Sequence, residues 1–322
     1  MMQLNSKIYV AGHRGLVGSA LVRELTRKGF TNIVTRTHAE LDLTDQLAVR
    51  EFFEIEKPEY VFLAAARVGG IFANNTYPAE FIYSNMTIQN NVIHAAWVHG
   101  VKRLLFLGSS CIYPKECPQP IKEEYLLTGP LETTNRPYAI AKIVGVEMCH
   151  SYNRQYGTKY LAAMPTNLYG PGDSYDLNNS HVLPALIRKL HKAKTSKSPT
   201  VVLWGSGKPK REFLYVDDLA NALLFLANLA DDQYEKLVDS TEWPLINIGT
   251  GRDQTILEMA EIIAQVVGYQ DKFVLDPDKP DGTMRKVLDV SKMRKLGWEA
   301  TTNLTTGIEL TYREFLKLQV QS

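Results

Sequence analysis

Tyr138 and Lys142 stand four residues apart in the stretch RPYAIAKIVGVEMC. On a helix that spacing puts the phenol and the ammonium on one face. A lysine charge beside a phenol favours the phenolate and lowers its pKa from about 10 toward neutrality. Such a pair can deliver a proton to a carbonyl that is being reduced. A second stretch, FLGSSCIYP, carries Ser109, Ser110 and Cys111 directly after the apolar run Leu104 to Leu107. Two hydroxyls and a thiol at the end of a buried strand serve either as packing or as acid and base. His181, in NNSHVLPAL, is a residue type that titrates near neutral pH, with a helix cap or a surface position as the plainer reading.

Upstream lies VAGHRGLVGSALVREL, with Gly12, Gly15 and Gly18 spaced as G-x-x-G-x-x-G. It follows a strand and opens a helix. Glycines there allow a tight turn and close approach of the backbone to a pyrophosphate. The helix N-terminus adds free N–H groups and a positive dipole end. The second strand, in NIVTRTHAELDL, is followed by Arg36, with Glu40 a turn later and no acid at the usual ribose position. Arg14 stands inside the glycine loop. Two guanidiniums suit a 2′-phosphate, so NADP(H) is the expected cofactor. Asp42 either bonds the adenine or caps the following helix. LAAARVGG, residues 63–70, ends the third strand in small residues that let a cofactor pass close.

These residues must be held by an alternation of strands and helices. Strands are expected at 7–12, 32–37, 60–66, 103–109 and 159–166, with helices at 16–29, 45–56, 79–99 and 138–156. That order predicts an α/β fold, a Rossmann-type doubly wound parallel sheet with a smaller C-terminal α/β part that binds substrate. After Pro165 the rhythm loosens. Residues 171–214 are rich in Gly, Pro, Asn and Ser around one helix near 181–194. A strand and helix return at about 213–229, a strand at 245–251, and helices near 256–267 and 303–317. The expected division is a cofactor domain of 1–170 with 213–250 and a substrate domain of 171–212 with 251–322.

The 322 residues are 45% hydrophobic and carry a formal net charge of +1, which argues against disorder and against a general nucleic-acid role. No apolar run reaches membrane-spanning length. The chain enters KIYVAGHRG almost at once, which leaves no room for a signal peptide in this sequence. Cys111, Cys117 and Cys149 have no metal-type spacing, so no metal is expected and a reduced, cytoplasmic protein is.

The glycine loop, the serine before the helix and Tyr138-x-x-x-Lys142 together resemble the extended short-chain dehydrogenase/reductase superfamily. AAARVGGIFANNTYPAEFIYSNM, GSSCIYPK, MPTNLYGP, SHVLPALIRK, WGSGKPKREFLYVDD and KPDGTMRK extend the likeness to the GDP-L-fucose synthase family, over nearly the whole chain. That resemblance implies an NADPH-dependent 3,5-epimerase and 4-reductase acting on GDP-4-keto-6-deoxy-D-mannose. It implies Cys111 as base and His181 as acid for inversion at C3 and C5. Ser109 and Tyr138 would hold the enolate oxygen, Tyr138 would protonate O4, and Lys142 would hold the nicotinamide ribose. Around the cofactor it implies Gly12, His13, Arg14, Gly15, Leu16, Val17 and Gly18, then Arg36, Asp42, Leu107, Gly108, Ser109 and Ser110. Lys142, His181 and the segment Pro165, Thr166, Asn167 and Leu168 complete that set. For the GDP-sugar it implies Lys189, Trp204, Arg211 and Asp281. It further implies a homodimer in which helices 79–99 and 138–156 pair across a two-fold. Cys117 and Cys149 keep a packing role.

Overall fold

The computed structural model describes residues 1–176, 180–239, 241–279 and 281–321. The first half alternates strand and helix. β1 (Ile8–Ala11) leads into α1 (Leu16–Arg27), β2 (Ile33–Val34) into α2 (Gln46–Glu56), and β3 (Tyr60–Leu63) into α3 (Ile71–Thr76) and α4 (Pro78–Val98). β4 (Arg103–Leu107) is followed by α5 (Arg136–Tyr156) and β5 (Tyr160–Pro165). The second half holds β6 (Asn167–Tyr169), α6 (Val182–Thr195), β7 (Thr200–Trp204), β8 (Lys210–Tyr215), α7 (Val216–Ala227) and α8 (Asp231–Val238). It closes with β9 (Leu245–Ile248), β10 (Asp253–Thr255), α9 (Ile256–Val267), β11 (Lys272–Asp276), β12 (Arg285–Lys286), α10 (Ser291–Leu296) and α11 (Leu304–Gln321).

Six parallel strands form the main sheet in the order β2-β1-β3-β4-β5-β9. Alternate residues of each strand face opposite layers. Ile8 and Val10 join Ala20, Leu21 and the α7 leucines on one side, while Tyr9 and Ala11 join Phe53, Val92 and Val146 on the other. Both faces are therefore covered, as a parallel sheet requires. The strand order reverses between β1 and β3, the switch point at which such sheets open a crevice for a ligand.

The expected second strand, 32–37, shrinks to two residues. The reason is local: Thr35 O accepts from the Arg36 guanidinium and Thr37 N donates to the Glu40 carboxylate, so side chains displace ladder bonding there. After Pro165 the chain leaves the main sheet. β6 pairs with β8, which also pairs with β10 and β12, and β7 pairs with β11. α6, α9 and α11 pack on these pieces around Leu186, Ile187, Met259, Ile263 and Phe315. β8 thus stands in the second sheet, whereas the α7 leucines pack into the core beneath α1.

Candidate active site

The glycine loop lies at the switch point. Gly12 has φ +84, and a Cβ on it would stand 2.7 Å from Ala65 N. A Cβ on Gly18 would stand 2.0 Å from Gly12 O. Gly15 caps α1 with extended backbone and no side-chain hydrogen bond, which leaves the first N–H groups of the helix facing outward. His13 Nδ1 is buried without a partner. An anion-shaped cradle with orphaned donors fits a dinucleotide pyrophosphate. Leu16 and Val17, the next loop residues, turn inward against the core beneath the sheet.

The residues expected around the adenosine are more occupied than the sequence suggests. Arg36 donates to Glu56 Oε1 at 2.5 Å and to Thr35 O at 2.8 Å, with its guanidinium 5.4 Å from the Phe52 ring centre. Arg14 and Arg36 both lie within electrostatic reach of Glu40, whose carboxylate sits below its ordinary range chiefly because Thr37 donates to it. Asp42 does not cap α2. Asp45 does, accepting from Leu47 N and Ala48 N, while Asp42 accepts from Thr44 N and Oγ1.

At the end of β4 the chain makes a 3₁₀ turn, Ser110–Ile112, capped by Ser109, whose hydroxyl accepts from Cys111 N at 3.4 Å. Ser110 and Cys111 are buried, and Tyr113 Oη donates to Asn247 Oδ1 at 2.6 Å, which anchors the turn to β9. Gly108 N donates to Ala163 O, and a side chain there would strike Met164. Across the cleft, Gly145 lets α5 press against the Phe106 ring, where a Cβ would meet it at 2.3 Å. That close approach sets Tyr138 and Lys142 beside Cys111.

The expected phenolate does not form here. Lys142 Nζ donates to Leu107 O at 2.7 Å and stands 5.7 Å from the Tyr138 ring centre. Burial lowers its pKa to about 8, with the nearby Cys111 opposing that shift. Burial, reinforced by Cys111, pushes the Tyr138 phenol well above 10, so the phenol is a neutral donor and not a phenolate. Burial also raises the Cys111 thiol; Lys286 is the strongest influence pulling it back, ahead of Ser109 and Lys142. At Cys111 desolvation outweighs the nearby cations.

His181 occupies the N-cap position of α6 but makes no cap bond with its side chain, which reaches solvent. Desolvation lowers its pKa. No hydrogen bond among the described residues joins it to Cys111 or Tyr138. Thr166 Oγ1 and Asn167 Nδ2 both donate to Glu212 O, and Thr166 N donates to Ile248 O. Pro165 pairs with Ile248 at the end of the main sheet, and Leu168 packs against the core.

The expected sugar-nucleotide residues fall into two groups. Lys189 is not a solvated helix residue: its Nζ stands 5.2 Å from the ring centre of Trp204, itself 62% exposed. Arg211, its pKa lowered by burial and raised by Asp281, donates to Lys210 O. Asp281 accepts from Ser206 N at 2.7 Å and Ser206 Oγ at 2.8 Å, so its carboxylate fixes the Gly205-Ser206 turn next to Trp204.

Four residues around this cleft escape sequence reasoning. Lys279 Nζ lies 5.6 Å from the Trp204 ring centre, so the indole meets a second ammonium as well as Lys189. Lys286 faces Cys111 from β12. Asn247, buried in β9, donates to Ile121 O and takes the Tyr113 hydroxyl. Glu212, fully buried, accepts from Thr250 N, Gly251 N and Leu288 N at 2.6 to 2.8 Å. An acid in the apolar surroundings of EFLYV was the one visible signal for Glu212.

Residues 8–238 match the NAD dependent epimerase/dehydratase family. The chain is 56% identical to GDP-L-fucose synthase 1 of Arabidopsis thaliana over 317 residues, 98% of this chain and 95% of that one. It is 54% identical to GDP-L-fucose synthase of Escherichia coli K12, with 97% of each chain covered. Among solved structures it superposes on a GDP-L-fucose synthetase from Naegleria fowleri bound to NADP. The TM-score is 0.87 at 27% identity, over 100% of this chain and 97% of that one.

Proposed function

Because this chain belongs to the NAD dependent epimerase/dehydratase family, among the GDP-L-fucose synthases, we propose that it converts GDP-4-keto-6-deoxy-D-mannose to GDP-L-fucose with NADPH. The observation that carries this reading is a buried thiol at the end of β4 within electrostatic reach of a half-buried phenol on α5. A simple carbonyl reductase has use for the phenol alone. Inversion beside a ketone has use for both.

The chemistry follows from the ketone at sugar C4, which acidifies the hydrogens on C3 and C5. Cys111, as thiolate, takes the C3 proton, and the electron pair moves through C4 onto O4. The Ser109 and Tyr138 hydroxyls donate to that enolate oxygen, as an oxyanion site does. His181 returns a proton to C3 from the opposite face. Exchange with solvent resets thiol and imidazole, and the same pair acts at C5. NADPH, when bound, supplies the hydride for C4. Tyr138, kept neutral by burial, gives its proton to O4.

Gly12, Gly15 and Gly18 with His13 hold the pyrophosphate in this reading, and Arg14 meets the 2′-phosphate. Lys142 holds the nicotinamide ribose, while Lys189, Trp204, Arg211 and Asp281 serve the GDP-sugar. Residues 1–170 with 213–250 form the cofactor part, and 171–212 with 251–322 the sugar-nucleotide part. We place the enzyme in a reducing, cytoplasmic setting, because Cys111 must stay a free thiol. We assign it a homodimer through α4 and α5, which expose Tyr83, Val98, Ile140 and Tyr156. No helix among the described residues is long and apolar enough to cross a membrane.

The test is product analysis by NMR after turnover of GDP-4-keto-6-deoxy-D-mannose in deuterated water. Deuterium at C3 and C5 of GDP-L-fucose is expected. Cofactor oxidation with no deuterium at either carbon would make the protein a plain 4-reductase and remove Cys111 from the reaction.

A further inference from the structure

Cys111 presents a problem that the residues assigned so far do not solve. A base must be deprotonated to act, yet this thiol is only 8% exposed and desolvation holds its proton on. The charged and titratable groups that face it are Tyr138 and Lys142 from α5 and Lys286 from β12. Tyr138 is neutral and gives no help. Burial weakens the charge of Lys142 and of Lys286 alike, but Lys142 also commits its ammonium to Leu107 O. Lys286 remains.

The surroundings of Lys286 differ from those of a surface lysine. It is half-buried, and among the described residues its ammonium has no hydrogen-bond or ion-pair partner. Its backbone is fixed on three sides. β12 runs parallel to β8 with Lys286 opposite Arg211, so the two side chains leave one face of the small sheet. Val287 N donates to Gln119 Oε1, and Val287 O accepts from Ile121 N, both in the segment that follows the Cys111 turn. Leu288 N donates to the buried Glu212 carboxylate. The groups that face Lys286 are Cys111, Arg211, Cys117 and Glu132. Glu132 makes no ion pair with it, its hydrogen bonds going to Thr134 N, Thr134 Oγ1 and Asn135 N. Arg211 repels it. Two thiols gain from this cation, Cys111 and Cys117, and Cys111 has the larger influence on it in return.

We propose that Lys286 is the positioning residue that sets the charge of the Cys111 base, an unpaired cation within electrostatic reach of the thiol on a strand clamped to β8 and to residues 119–121. It touches neither the migrating proton nor the cofactor. Its role is to stabilise the thiolate before each proton abstraction, at C3 and again at C5. The proposal rests on the functional reading above, in which Cys111 is the base. The same cation has no part in delivering a proton to O4, so the two half-reactions separate its effect from a general loss of structure.

The experiment follows deuterium wash-in at C3 and C5 of the 4-keto substrate against pH, with wild type, Lys286→Met, Lys286→Gln and Lys286→Arg. Wild-type protein without exchange defeats the functional reading itself. With wild-type exchange in hand, the neutral variants should move the rising limb of the profile upward by about one pH unit, which is a tenfold loss of exchange at pH 7. Arginine should hold the limb within about threefold of wild type. NADPH affinity should stay within about twofold throughout, and if methionine prevents folding, glutamine carries the comparison. The rate at which iodoacetamide alkylates Cys111 should show the same displacement without any substrate. A limb and an alkylation midpoint that do not move in the neutral variants overturn the proposal. So does an arginine variant as impaired as methionine, since shape and not charge would then be what matters.

Discussion

At the cofactor end of the cleft, shape comes from backbone. Gly12 and Gly18 leave no room for a methyl group, and the donors offered there are main-chain N–H groups at the start of α1. At the sugar-nucleotide end, shape comes from long side chains on short strands. Trp204 ends β7, Arg211 lies in β8, Lys286 ends β12, and Lys189 reaches over from α6. The first wall is rigid because the main sheet is buried on both faces. The second depends on side-chain ties, chief among them Glu212, which joins β8 to the 250–251 turn and to Leu288. Disruption should therefore be selective: changes on one wall should leave the other working.

The largest effect should come from the seam between the walls. Tyr138→Phe should slow reduction by about 10²–10⁴-fold, the usual worth of a positioned acid. Deuterium exchange should fall much less, because Ser109 still donates to O4. Equal losses in the two assays would mean that Tyr138 governs the enolate as well, and the division of labour would fail.

Next is cofactor choice, which probes the backbone wall at its one charged corner. Arg14→Ala should weaken NADPH by about 10- to 100-fold, since a charge-assisted hydrogen bond is worth roughly 1.5–3 kcal/mol. NADH, lacking the 2′-phosphate, should lose little. Arg36→Ala should cost less than Arg14→Ala, because Arg36 must first give up Glu56. Dissociation constants for both cofactors decide this: variants that lose NADH as much as NADPH would show that neither guanidinium reads the phosphate.

The same contrast explains what could be read from the sequence. The main sheet was legible because strands such as VFLAAA and RLLFLGSS are continuous apolar runs between amphipathic helices. The glycine loop and the Tyr138–Lys142 pair are local patterns of a few residues. The second sheet was not legible. β11 is mostly exposed and β12 has two residues, so neither leaves a period-two signal. Lys279, Lys286 and Glu212 meet the site only through pairings of segments far apart in the chain. The direction of the Tyr138 shift departs from the sequence reading for a related reason. Residue types reveal a nearby lysine, but burial, which dominates the phenol here, emerges only after folding.

Glu212→Gln tests the tie that holds the second wall. An amide presents N–H to backbone donors where the carboxylate accepted three of them, and a buried mismatch of this kind costs about 1–3 kcal/mol. Stability toward urea should fall by that amount. The KM for the GDP-sugar should rise by about tenfold while NADPH affinity holds within about twofold. A cofactor site that weakens in step with the sugar site would show that the two walls are one mechanical unit.

The smallest effect, and the finest test of a side-chain-built wall, lies at Trp204. Lys189 and Lys279 each place an ammonium within 6 Å of the indole, at 5.2 and 5.6 Å. Such contacts at exposed sites are worth about 0.5–1 kcal/mol, so each lysine-to-alanine change should raise KM for the GDP-sugar about two- to fivefold and leave kcat alone. Two origins are separable. If the lysines act by holding the indole plane in place for a base to stack on, their effects vanish in a Trp204→Ala background. If they act on the diphosphate directly, each keeps its full effect there, and the changes multiply. The exposure of Trp204 and the absence, among the described residues, of a hydrogen bond fixing its ring favour the first origin, because two ammonium contacts are then what orients it. Full persistence of the Lys279→Ala effect without the indole would overturn that assignment and make Lys279 a phosphate ligand in its own right.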